Sequence, residues 1–177
     1  AVMDADDISV AERFEKQVKN YPTKSYQKGE IILSPNNSNK TLFLLKGGHV
    51  KSSYFSRDGR ELTVNIYKPG NFFPITQILA QKDNFLHFEA LEKCEITLIP
   101  VKEVLDLIKT DQKLQQDLIE RLSVGLEGLL LRMLYLTQNS AEQRVAANIY
   151  LLAQRFGQKT NEKNCKIYIK HTQEDIA

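Results

Sequence analysis

The chain of 177 residues holds two cysteines, Cys94 and Cys165, each isolated. Without a Cys-x-x-Cys pair there is no zinc knuckle, no dithiol couple and no ligand set for an iron–sulfur cluster, so both read as free thiols in a reducing cytosol. Histidine is scarce as well. His49, His87 and His171 stand alone, whereas a cupin-type metal enzyme needs clustered His and Glu ligands. His87, between Leu86 and Phe88, is the one candidate for a haem ligand worth testing. There is no Gly-x-Ser-x-Gly, no phosphate-binding loop and no Cys–His arrangement, so the chain is not expected to be an enzyme. No run of 18 apolar residues is present, which excludes a membrane-spanning helix. The acidic start, Ala1 to Asp7, gives no reason to expect a secretory leader, and Ala1 and Val2, ahead of Met3, read as vector-derived. Lys and Arg total 24 for a net charge of +2, so nucleic-acid binding must rest on motif rather than on a basic field.

What is present begins with a heptad. Ile119, Leu122, Leu126, Leu129, Met133 and Leu136 recur at alternating spacings of three and four. Such a seam buries nothing unless a second helix lies along it, so the segment reads as a dimerisation helix. Asp111 can cap it, Leu114 and Leu118 extend it, and it should run to about Thr137, a rod of about 37 Å at roughly 1.5 Å per residue. Leu130, Leu131 and Leu134 flank the seam and are expected to lie against the chain's own β domain.

Before the seam, Ser9 and Glu12 form a capping box for a short helix, Val10 to Val18, which Tyr21-Pro22 ends. From Tyr26 to Pro100 short apolar runs alternate with turn signals. The runs are Ile31 to Leu33, Leu42 to Leu45, Val50 to Phe55, Leu62 to Tyr67, Phe85 to Ala90 and Ile96 to Ile99, and their spacing suits an antiparallel sandwich or barrel. Asp58-Gly59 is the strongest hairpin signal. Val101 to Ile108 reads as a short helix. After the seam, Asn139 with Glu142, or Ser140 with Gln143, would cap a helix bearing Val145, Ala146, Ile149, Leu152 and Ala153, with Gly157 as its stop. A charged loop, Lys159 to Asn164, leads to an alternating strand, Lys166 to Lys170. Thr172 then opens a helix that the chain leaves after five residues, as though a domain continued past Ala177.

The order of these parts resembles the Crp/Fnr family of bacterial transcription regulators over nearly the whole chain. The resemblance is carried by Lys28-Gly29-Glu30, Leu42-Phe43-Leu44-Leu45-Lys46-Gly47, Asp58-Gly59, Tyr67-Lys68-Pro69-Gly70-Asn71-Phe72, the long helix, Gln143-Arg144-Val145-Ala146 and His171 to Ala177. It implies an α+β protein. Residues 1–110 would be a cyclic-nucleotide-binding-like antiparallel β-roll of jelly-roll type, 111–138 the dimerisation helix, and 139–177 the start of a winged helix-turn-helix domain. It further implies a cytoplasmic homodimer that reads double-stranded DNA mostly through residues beyond Ala177, with RNA polymerase as a further partner and no membrane. Arg144, Lys170, Thr172 and Gln173 sit where family members touch phosphates. The Thr172 hydroxyl would serve equally as a plain helix cap, and Arg144 as a solvated first-turn residue.

One departure from the family concerns the effector. Members that bind cyclic AMP carry a Gly-Glu pair and, about ten residues later, an Arg followed by Ser or Thr, because a buried cyclic phosphate needs a guanidinium and hydrogen-bond donors. Here Pro74-Ile75 and Asn84-Phe85 take those places, so cyclic AMP is not expected and no cofactor is assigned. Two readings stand. An apolar or amphipathic effector could sit between roll and long helix, lined by Tyr54, Leu62, Val64, Ile66, Phe73, Ile75, Phe85, Leu126, Leu129 and Leu130. Alternatively these side chains fill that space as core, and the regulator is constitutive or controlled by abundance. A regulatory domain acting on a protein partner rather than DNA is the alternative function, against which the strand and helix start after Gly157 argue.

Overall fold

The computed structural model describes residues 18, 20–37, 40–138, 140–161 and 164–167. The expected N-terminal helix lies outside them apart from Val18, as do Tyr168 to Lys170 and the helix start at Thr172. The chain divides into two compact units, Ala1–Asp117 and Leu118–Ala177.

The first unit is built on eight strands: β1 (Thr23–Tyr26), β2 (Ile31–Leu33), β3 (Thr41–Gly47), β4 (Val50–Phe55), β5 (Glu61–Tyr67), β6 (Phe72–Phe73), β7 (His87–Ala90) and β8 (Cys94–Pro100). They form two antiparallel sheets, ordered β1-β8-β3-β6 and β2-β7-β4-β5. Every link between successive strands except the β4–β5 hairpin crosses from one sheet to the other, which makes the jelly-roll. Side chains alternate across a strand, and β3 uses both faces. Phe43 and Leu45 enter the core between the sheets with Val50, Phe73, Phe88 and Ile96. Leu42 and Leu44 enter a second core with Val18, Ile78, Ile99, Val104 and Leu114. A sheet covered on both sides reads as a continuous apolar run, which is why Leu42-Phe43-Leu44-Leu45 lacks alternation.

Between the sheets the Phe73 ring stacks on Phe88, with centroids 4.7 Å apart, and on Phe43 at 5.5 Å, while Tyr67 leans on Phe73 and Phe88. At the β3–β4 turn Gly48 has φ +82°, and a Cβ there would stand 2.5 Å from the Lys93 carbonyl oxygen and 2.7 Å from Cys94 Sγ. No other residue fits that approach. The β4–β5 hairpin turns at Asp58-Gly59 as expected, with Gly59 at φ +83° and the Ser56 N–H donating to the Arg60 carbonyl at 2.9 Å.

Two strands and one helix have no counterpart among the apolar runs. β1 buries only Tyr26, β6 is two residues long, and α1 (Ile75–Leu79) is little more than one turn following Pro74. Tertiary pairing with β8 and β3 creates the two strands, so local pattern is silent on them. α2 (Val101–Thr110) carries the expected short helix two residues further.

α3 (Gln112–Gln138) is 27 residues long. Its start is capped as expected: Asp111 Oδ1 accepts the N–H groups of Lys113 and Leu114 at 3.0 and 3.1 Å. In the second unit, α4 (Ala141–Phe156) opens on the Ser140/Gln143 alternative, a reciprocal capping box. Gly157 caps its end, and β9 (Gly157–Lys159) pairs with β10 (Cys165–Ile167). β9 thus takes up the first residue of the expected loop. Within the described residues the expected strand is met at Lys166 and Ile167.

Two outcomes follow from this packing. Phe73→Ala removes the middle of the aromatic stack and should cost about 3–5 kcal/mol in urea denaturation; a loss below about 1 kcal/mol would contradict the packing described. Cys94 is wholly enclosed, and burial raises its thiol pKa, so it stays protonated while Cys165 is exposed. Iodoacetamide at pH 8 should label Cys165 in the native protein and Cys94 only after denaturation, which peptide mass spectrometry reads directly.

Candidate functional site

In the segment from Phe72 to Phe85, where the resemblance would put a phosphate cassette, the side chains of Thr76, Gln77 and Asn84 are hydrogen-bonded within the fold. Pro74 has no N–H to offer. Ile75, half-buried, packs on the core that contains Ile78 and Val104. Gln77 is buried, its Oε1 accepts the Thr76 hydroxyl at 2.6 Å, and its backbone carbonyl accepts the Lys82 N–H. Asn84 is 1% exposed. Its Nδ2 donates to the carbonyls of Ser34 at 3.0 Å and Leu86 at 2.6 Å, and its Oδ1 accepts the Leu86 N–H at 3.1 Å. The Asn84 carbonyl also accepts the Asn36 N–H at 2.8 Å. This amide is a clamp that ties the loop after β2 to the start of β7, so its capacity is spent on backbone.

The expected pocket residues separate by position. Tyr54 and Leu62 face each other in the β4–β5 register and are exposed, as is Phe85. Val64 is half-buried against the inter-sheet core. Phe73 differs from the expectation of a pocket wall, since it is wholly enclosed between Phe43 and Phe88. Ile66 is buried as well. His87 lies edge-on to Phe55 at 4.9 Å, and His49 Nδ1 is 2.5 Å from Glu92 Oε1. Among the described residues no group of three or more His, Cys, Asp or Glu side chains could hold a metal ion.

On α3, Ile119, Leu126, Leu129 and Met133 are 53–64% exposed and Leu122 half so; the side chain of Leu136 lies outside the description. Leu130, Leu131 and Leu134 are 42–51% exposed. The distal half of α3 is therefore apolar on several faces at once, a pattern that requires cover from more than one direction. Arg144 is half-buried in the first turn of α4. Lys170, Thr172 and Gln173 lie outside the described residues, and so does His171.

The profile of the cyclic nucleotide-binding domain matches residues 23–111, half of the chain. The chain belongs to the cyclic nucleotide-binding domain family. The relatives it matches are regulators of Crp/Fnr type. It is 31% identical over 136 residues to electron transport regulator A of Shewanella oneidensis, covering 77% of this chain and 54% of that protein. It is 28% identical over 137 residues to the fumarate and nitrate reduction regulatory protein of Yersinia pestis, with the same shares. The chain thus spans about half the length of the curated relatives it matches. Among solved structures it resembles a CooA variant from Carboxydothermus hydrogenoformans, with a TM-score of 0.71 at 19% identity over 94% of this chain and 73% of that one. It also resembles a Crp/Fnr-family transcriptional regulator from Thermus thermophilus, with a TM-score of 0.65 at 23% identity over 88% and 76%. These likenesses bear out the β-roll and long helix expected from the sequence.

In this chain positions 74 and 75 hold a proline–isoleucine pair and position 84 a structural asparagine. Nothing in the sequence alone marks Asn84 as a clamp, because both of its carbonyl acceptors are fixed only when the roll closes. Asn84→Ala should lower stability by about 3 kcal/mol, since the backbone groups it satisfies become buried orphans. Urea midpoints test this, and an unchanged midpoint would show that the clamp carries nothing.

Proposed function

We propose that this protein is a cytoplasmic, homodimeric, DNA-binding transcription regulator of Crp/Fnr type, without enzymatic activity, whose roll responds to something other than cyclic AMP. The single observation that carries the reading is the seam of α3. Ile119, Leu126, Leu129 and Met133 stand exposed in one protomer, and a two-stranded coil is the arrangement in which this heptad is buried. Family membership and the regulator names of the relatives support the DNA-directed role over control of a protein partner. Among the described residues no helix is long and apolar enough to cross a membrane.

Arg144, Lys170, Thr172 and Gln173 are the proposed phosphate contacts, where they would set register rather than read bases. RNA polymerase is the further partner proposed. Recognition helices of such a dimer must stand about 34 Å apart to meet successive major grooves. Small shifts along the seam change that distance, which gives an effector its lever. For the effector we favour an apolar or amphipathic small molecule met by Tyr54, Leu62, Val64 and Phe85. Phe73 lies in the inter-sheet core, and Ile75 is half-buried against the second core. Cyclic AMP is disfavoured because Pro74, Ile75 and the occupied Asn84 amide leave no side chain to pair its phosphate.

Sedimentation and gel shift test the reading together. The protein should be a dimer at micromolar concentration, and Leu126→Glu, which puts two carboxylates face to face in the seam, should yield monomer and at least about tenfold weaker binding to the regulator's own upstream DNA. A Leu126→Glu protein that remains dimeric would sink the seam assignment.

A further inference from the structure

We draw no further inference here: the strongest candidate, the apolar face of α3 outside the seam on which Val124, Leu131 and Leu134 stand exposed, carries nothing because nothing in the structure shows what covers it.

Discussion

The structure depends on the stack of Phe43, Phe73 and Phe88 between the two sheets. These rings come from β3, β6 and β7, two strands of one sheet and one of the other, and their mutual contact holds the sheets at a common spacing. Buried aromatic rings contribute both area and oriented contact, and here they sit on strands too short to persist alone, β6 being two residues long. The six sheet-crossing links follow from that register, as does the tight approach of Gly48 to Cys94. Outward from the same β3, Leu42 and Leu44 anchor the second core with Leu114 at the base of α3, so one strand serves both layers.

The loop that would carry anion-binding groups in a nucleotide sensor is here part of this framework. Asn84 spends its side chain on the carbonyls of Ser34 and Leu86, and Gln77 binds Thr76 and Lys82. Hydrogen-bonding groups satisfied by neighbouring backbone hold a loop in shape and have little left for a ligand. Polar recognition is more readily sought elsewhere.

α3 itself carries two opposed demands. An apolar seam asks for a second copy, and the exposed Leu130, Leu131 and Leu134 ask for further cover. A helix with this much exposed apolar surface is unfavourable in water by itself, and its association is therefore coupled to whatever surrounds it. Such coupling gives a long helix the capacity to relay a signal.

Much of this was legible from sequence because it is local chemistry. The caps at Asp111 and Ser140, the Asp58-Gly59 hairpin, the heptad of α3 and the family resemblance all depend on residues a few positions apart, whose geometry the backbone dictates wherever they occur. Tertiary structure decided the rest. Whether Phe73 lines a pocket or sits in a core turns on β3 and β7, thirty and fifteen residues away in the chain. Asn84 became a clamp only once Ser34 was brought beside it. β1 and β6 exist because β8 and β3 offer them an edge. Periodicity reports which side of an element is apolar; only the closed register of the sheets determines what that side meets.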